Sequence, residues 1–342
     1  CAPGPIYCLL KVCWFTAAEH GAFQSGADEM KRRKFIIGLG AIAAGSLFCG
    51  AVMPENRIKT LPVKTFTPAR ALVLYFSQTG HTAIYGELVS DTLAERGIIV
   101  KACDYRKADE IKPEEFDLLV VGTPVNYMEV PLVFDKWLAR LPQMNGTPAA
   151  AFVSFGGKGS NVNNTLCMLL DRLAGKGCVP VAQAAFGNMS TYAPTWSLGN
   201  EERTLAYRHL PDEETFSSVR AFPTAALENT RAGRRLSYKR EFDISGLFKG
   251  GVSIWASKAL TSGHHIDKST CIECLQCVES CPTGAVNQKT GEVNGEKCVL
   301  CLGCVNNCPV GAMKMSYLNK NLIGFKRFCE AHNITIKRPD KT

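Results

Sequence analysis

Eight of the sixteen cysteines stand in two runs of identical spacing. Cys271, Cys274, Cys277 and Cys281 form the first, closed by Pro282. Cys298, Cys301, Cys304 and Cys308 form the second, closed by Pro309. Each reads C-x-x-C-x-x-C-x-x-x-C-P. Cysteines so closely spaced can wrap a tight loop around one polynuclear centre, and a cubane needs a thiolate on each of its irons, arriving from different directions. The flanks repeat as well: Pro282-Thr283-Gly284-Ala285 answers Pro309-Val310-Gly311-Ala312, the mark of a duplicated half-domain. The implied chemistry is one-electron transfer by two [4Fe–4S] clusters. Zinc is the competing occupant, because Cys₄ zinc sites also use C-x-x-C pairs; those pairs, however, stand apart across a longer spacer.

The runs resemble those of bacterial two-cluster ferredoxins. That resemblance implies a crossed ligand set, since the fourth cysteine lies in a segment running away from its own loop. Cys271, Cys274, Cys277 and Cys308 are expected to hold one cluster, and Cys298, Cys301, Cys304 and Cys281 the other. Each proline turns the chain just after the crossing ligand. Leu275 and Leu302 depart from the pattern, because many ferredoxins carry glycine after the second cysteine. The departure bears on hydrogen bonding to the sulfides and not on ligation.

A second constellation lies upstream. Ala71–Phe76 is apolar throughout, as a buried parallel strand is, and runs straight into Ser77-Gln78-Thr79-Gly80-His81-Thr82, after which a helical pattern continues to Arg96. A strand, a hydroxyl-rich turn and a helix N-terminus together make an anion site: backbone N–H groups and the helix dipole face the anion, and hydroxyls donate to it. The turn has no Lys or Arg and no G-x-G-x-x-G, which excludes a Walker loop and a dinucleotide fingerprint. Further strands are expected at Ile98–Cys103, Asp117–Gly122, Ala149–Ser154 and Val179–Ala184, with helices at Val130–Leu141 and Asn164–Gly175. The alternation predicts a doubly wound five-stranded parallel α/β sheet, which binds ligands beyond the carboxyl ends of its strands.

Ser77-x-Thr79-Gly80-x-Thr82 is similar to the [ST]-x-T-G-x-T loop of flavodoxins, which holds the FMN phosphate. The resemblance implies that Ser77, Gln78, Thr79, Gly80, His81 and Thr82 bind that phosphate. The loops after strands three and four, Thr123, Pro124, Val125, Asn126 and Tyr127 with Phe155, Gly156 and Gly157, would then clasp the isoalloxazine ring. Tyr127 is the candidate to stack on it; the competing role is to cover the sheet edge. Lys158 departs from the acidic surroundings usual for flavodoxin flavin, and facing the ring it would raise the reduced-state potential. For His81, exposure on the loop is favoured over contact with phosphate or partner. The whole arrangement resembles the flavodoxin–ferredoxin fusions of anaerobic bacteria and archaea, over roughly residues 69–317. The fold class implied is a flavodoxin-like α/β domain followed by a small α+β two-cluster ferredoxin domain.

The 342-residue chain has room for both domains and appendages, and 46% hydrophobic with 20% charged residues is a globular balance. We divide it into 69–235 for the flavin domain, 236–265 for a linker, 266–317 for the cluster domain and 318–342 for a basic tail. In the tail, Lys320, Lys326, Arg327, Lys337 and Arg338 read as solvated surface, with docking of an acidic redox partner or anionic membrane as the alternative. Phe248, Ile254, Trp255 and Leu260 are expected to pack on a domain rather than form a partner helix, and His264 and His265 to lie in solvated linker. Asp212-Glu213-Glu214 opens a helix with acid at its positive end. A net charge of +8 without a helix-turn-helix or aromatic–basic motif argues against a nucleic-acid partner.

Lys31-Arg32-Arg33-Lys34-Phe35-Ile36 followed by a Gly/Ala-rich apolar stretch to Val52 has the layout of a signal peptide and resembles the twin-arginine signal. Residues 30–52 are read as that signal, or as a membrane tether, and residues 1–29 as sequence upstream of a start at Met30. Export across a bacterial cytoplasmic membrane follows; a cytoplasmic location is the alternative. No Ser–His–Asp set, paired carboxylates or H-E-x-x-H suggests hydrolysis. The expected function is electron relay between FMN, two clusters and a redox partner protein. A flavin-dependent reductase of a small substrate and an FMN-less docking subunit are the alternatives.

Overall fold

The computed structural model describes residues 65–157, 161–241 and 250–340. The signal segment, residues 1–29, Lys158 and Phe248 lie outside the described residues. All described residues belong to one compact unit, Asn56–Thr342.

Five parallel strands, β1 (Arg70–Tyr75), β2 (Ile99–Asp104), β3 (Leu118–Pro124), β4 (Pro148–Phe155) and β5 (Val179–Gly187), pair in the order β2-β1-β3-β4-β5. Helices α1 (His81–Ala94), α2 (Leu132–Leu138), α3 (Val162–Gly175) and α4 (Glu213–Arg231) cover both faces. The continuous apolar run in β1 follows from that double cover. Ala71, Val73 and Tyr75 enter the core beneath α1 and α4, whereas Leu72, Leu74 and Phe76 enter the core beneath α2 and α3. The helix expected from Asp212 begins there: its carboxylate accepts from the Thr215 N–H at 2.9 Å and the Thr215 hydroxyl at 2.7 Å. This is the flavodoxin-like doubly wound sheet.

The C-terminal region is a small antiparallel sheet, β6 (Thr261–Ile266), β7 (Met313–Tyr317) and β8 (Lys320–Asn321), with the cysteine loops between β6 and β7. Helix α5 (Gly250–Ala259) precedes it and α6 (Phe325–Ala331) follows. Strand β6 begins inside the stretch anticipated as linker. The stretch anticipated as a solvated tail contains β8 and α6. Phe325, Phe328 and Cys329 are buried there, Phe328 stacking on Trp196 at 4.6 Å, because aromatic residues one helical turn apart share a face. Beyond α6, Arg338 approaches Glu87 of α1 at 3.8 Å. Ile254 is half-buried, while Trp255 stays 57% exposed and does not pack as anticipated.

The duplicated sequence folds as a duplicated structure. Short helices Gln276–Glu279 and Gly303–Asn307 occupy matching positions. The Asp267 N–H donates to Ala312 O and, crosswise, the Asn294 N–H to Ala285 O, both at 2.8 Å. Leu275 and Leu302 both have φ of 59°, left-handed backbone that costs any L-residue and explains why glycine suits the position.

Candidate redox site

The cysteine loops repeat their sulfur contacts. The Glu273 N–H donates to Cys271 Sγ and the Leu300 N–H to Cys298 Sγ, each at 3.4 Å. The Ala285 N–H donates to Cys281 Sγ at 3.2 Å and the Ala312 N–H to Cys308 Sγ at 3.1 Å. Such bonds favour thiolate over thiol. At Cys281 burial opposes ionisation, but N–H groups of Thr283, Ala285 and Val286 and the Thr283 hydroxyl outweigh it, and the thiol falls below its ordinary value.

One cavity is lined by Cys281, Cys298, Cys301 and Cys304 together with His264. Cys277 lies within electrostatic reach of Cys308 and Cys271. Cys274 is exposed. Among the described residues no three His, Cys, Asp or Glu side chains form a group suited to a single metal ion. A cubane presents its irons at separate corners, so thiolates around it stand farther apart than those around one ion. Four thiols on one cavity wall, with N–H donors aimed at the sulfurs, are a donor set that fits such a cluster.

At the carboxyl edge of the parallel sheet, Gly80 is left-handed (φ 101°) and no side chain caps the first turn of α1. A Cβ at Gly80 would meet nothing within 4 Å. Ser77 Oγ accepts from the Gly80 N–H at 3.2 Å, and Thr79 Oγ1 lies 3.4 Å from His81 Nδ1. The Thr82 hydroxyl is engaged with Ser154 Oγ at 2.8 Å. His81 is 3% exposed, against the expectation of an exposed loop residue, because α6 brings Phe325 against its ring at 5.5 Å. Its Nε2 is buried without a partner, and burial lowers its pKa to about 4. An uncapped helix N-terminus, a left-handed glycine with open space and an orphaned buried imidazole nitrogen fit an anionic phosphate.

In the loop after β3, the Val125 N–H donates to Ser154 O at 2.9 Å, and Asn126 and Glu129 exchange backbone bonds at 3.0 Å. That turn places Tyr127 and Met128 at positive φ, the pattern of a type I′ turn. Thr123 is fully buried, and its hydroxyl lies 3.2 Å from Pro124 O. After β4, Phe155 O accepts from the Asn188 N–H at 2.8 Å. Gly156 lies against the Ser190 backbone, where a Cβ would come within 2.4 Å, so the close approach it permits is to Ser190. Gly157 has φ 95° beside Tyr207.

The two constellations meet. Tyr127 Oη donates to Leu300 O at 3.0 Å, and Asn307 Nδ2 to Gln78 O at 2.7 Å. Asn306 Nδ2 donates to Thr191 O at 2.9 Å, and Trp196 Nε1 to Ile323 O at 2.8 Å. Arg106 is a clamp: paired with Asp104 at 2.7 Å, it donates to Ser77 O at 2.9 Å and to Glu279 O and Ser280 O at 3.3 and 3.4 Å. Sequence reasoning missed Arg106 and the two asparagines. The available signal was the repeat itself, in which Glu279-Ser280 of the first half becomes Asn306-Asn307 in the second. It also misplaced His264, whose Nε2 is 3.4 Å from Cys304 Sγ and Nδ1 4.0 Å from Cys298 Sγ. Pairing of β6 with β7 draws that residue inward, and burial, seconded by His265, lowers its pKa to about 4.

Comparison with known proteins agrees with the two halves. Residues 72–177 match the flavodoxin domain model, and residues 264–322 match a 4Fe-4S dicluster domain model. No curated protein matches the chain. Similar solved structures include a flavodoxin from the domain Archaea, with 18% identity and a TM-score of 0.35, covering 47% of this chain and 99% of its own. A Streptococcus pneumonia TIGR4 flavodoxin also has 18% identity, with a TM-score of 0.37 and coverage of 47% and 99%. Rubredoxin oxygen:oxidoreductase from the anaerobe Desulfovibrio gigas has 16% identity and a TM-score of 0.34, over 50% of this chain and 38% of its own. The chain carries a flavodoxin domain followed by a 4Fe-4S dicluster domain.

Proposed function

We propose that this iron–sulfur flavoprotein is an electron carrier that relays between FMN, two [4Fe–4S] clusters and a redox partner protein. FMN exchanges one or two electrons and each cluster one, so the pair converts two-electron into one-electron traffic. The α1 N-terminus and the Ser77–Thr82 turn would hold the flavin phosphate, with Tyr127 beside the ring. Cys271, Cys274, Cys277 and Cys308 would hold one cluster, and Cys281, Cys298, Cys301 and Cys304 the other. The observation that carries the reading is the bond from Asn307, in the second cysteine run, to Gln78 in the phosphate loop. A carrier needs its centres close and fixed, and this contact joins the two cofactor loops directly.

Anaerobic purification followed by iron, sulfide and flavin analysis tests the reading. About eight irons, four for each cubane, and one FMN per chain are expected. Full iron without flavin, even after FMN is added, would leave a ferredoxin with a docking domain.

The same reading includes export through the twin-arginine-like segment 30–52, since clusters are assembled before translocation and the protein must cross folded. Among the described residues no helix is long and apolar enough to cross a membrane. Cell fractionation with N-terminal sequencing tests it: protein confined to the cytoplasm would refute export, and a product that retains residues 1–29 would refute the start at Met30.

A further inference from the structure

The two cysteine runs share a backbone but not an environment. Ile272–Leu275 of the first loop are all exposed, Ile272 at 59% and Leu275 at 46%, and Cys274 among them is exposed too. The matching residues of the second loop are covered: Leu300 is 5% and Leu302 7% exposed. Leu300 and Leu302 belong to an apolar cluster to which the flavodoxin side gives Met189 and Trp196 and the ferredoxin side Met315 and Phe325. Tyr127 reaches Leu300, Asn307 reaches Gln78, and Arg106 reaches the carbonyl of Ser280, next to Cys281. Cys301 lies beside the Gln78 amide. A short bonded path runs from the Tyr127 ring through its hydroxyl to Leu300 O, and from the Leu300 N–H to Cys298 Sγ.

We infer that electrons follow a fixed spatial order: flavin, then the cluster of Cys281, Cys298, Cys301 and Cys304 through Tyr127, then the cluster of Cys271, Cys274, Cys277 and Cys308, and out past Cys274. This rests on the proposed function and adds to it which cluster faces the flavin and which faces the partner. Bound there, FMN would supply two-electron and the clusters one-electron chemistry: an external two-electron reductant at the flavin would be balanced by two single electrons, one to each cluster, with the flavin protons passing to water and a one-electron acceptor protein reoxidising the clusters at the exposed one. Tyr127 is a positioning residue, joining the ring site to a ligand loop.

The test uses the full chain carrying FMN and clusters. A chelated dysprosium complex, which stays in solvent, is added, and relaxation of the two reduced-cluster EPR signals is measured. His264→Phe removes the imidazole nitrogens from Cys298 and Cys304 while leaving all eight cysteines, and so identifies the second-run signal by its shift. Dysprosium is expected to relax the unshifted signal more strongly. Equal relaxation, or stronger relaxation of the shifted signal, overturns the assigned exit. In a second arm, the flavin is photoreduced by a flash and bleaching of the clusters is followed in Tyr127→Phe at FMN and iron contents matched to the parent. Cluster reduction is expected to slow roughly tenfold, equivalent to about 1.4 kcal/mol in the barrier. An unchanged rate overturns the Tyr127 link. A preparation with clusters but no flavin refutes the proposed function instead, and the dysprosium arm still decides which cluster meets solvent.

Discussion

Leu275 and Leu302 allow one backbone conformation to be tested in two surroundings. Both residues sit at φ 59°, at the start of equivalent helices, but Leu275 is 46% exposed and Leu302 only 7%. The left-handed conformation costs an L-residue about 1–2 kcal/mol. Replacement by glycine relieves that strain and returns about 0.4–1 kcal/mol of chain entropy to the unfolded state. The backbone part of both substitutions is therefore a gain of about 0.5–1 kcal/mol. The side-chain parts differ. Burying a whole leucine stabilises by about 1.5–3 kcal/mol, and leaving a cavity adds to the loss. Leu275→Gly gives up about half of that burial and should fall within about 0.5 kcal/mol of the parent. Leu302→Gly gives up nearly all of it and should be destabilised by about 2–3 kcal/mol. Read as the rate at which visible cluster absorption bleaches in a fixed concentration of denaturant under argon, a 2 kcal/mol difference is roughly thirtyfold. Equal bleaching rates for the two variants would mean that the two loops are buried alike, contrary to the exposures of Leu275 and Leu302.

Further outcomes can be checked in the same protein. His264→Phe should lower the potential of the second-run cluster alone in an EPR-monitored redox titration, because either tautomer of the neutral ring points an N–H at a thiolate and favours the more negative reduced state. Asp212→Ala removes the α4 cap and should cost about 1 kcal/mol, a fall of about 2–4 °C in Tm. In Gly324→Ala the new Cβ would stand 2.1 Å from Val305 O, and overpacking of about 1–3 kcal/mol should loosen α6 from Trp196, visible as a red shift in tryptophan emission. In flavin-free protein, burial holds His81 at about 4, below its ordinary 6.5, so its contribution is complete above pH 6.5 and is lost as pH falls toward 4. That loss is up to about 3 kcal/mol, and His81→Gln should flatten the dependence of Tm on pH across this window; an unchanged slope would count against the buried placement.

The parallel sheet was legible because burial on both faces leaves a pattern that survives in one dimension: five apolar runs separated by helical stretches. The cysteine runs were legible because ligand geometry fixes their spacing. What stayed hidden depended on contacts between distant segments. His264 reads as linker until β6 pairs with β7 and turns it toward Cys304. His81 reads as an exposed loop residue until Phe325, more than two hundred positions later, closes over it. Lys326 and Arg327 made the end of the chain look like a solvated tail, although Phe325 and Phe328 already carried the helical spacing that buries one face. Charge counted along the chain does not reveal which face is turned inward.

In the relay we propose, duplication alone would make two equal clusters, and equal clusters define no order. The inequality comes from substitutions that leave the ligand pattern untouched: Glu273 answers Leu300, and Glu279-Ser280 answers Asn306-Asn307. Glu273 and Glu279 are exposed, while Ser280 is buried and, with Glu279, offers its carbonyl to Arg106. Their counterparts meet the flavodoxin side, where Leu300 O accepts from Tyr127 and Asn307 donates to Gln78. That burial has an electrostatic consequence. Withdrawing a cluster from water disfavours its more negative reduced form, whereas N–H donors to sulfur favour it. Backbone donors are matched between the halves, so they cannot compensate for the difference in burial. His264, at 3.4 Å from Cys304 Sγ, contributes a side-chain donor to the second half. Its removal leaves the burial of the second cluster less opposed, and the potential of that cluster should therefore fall relative to the first.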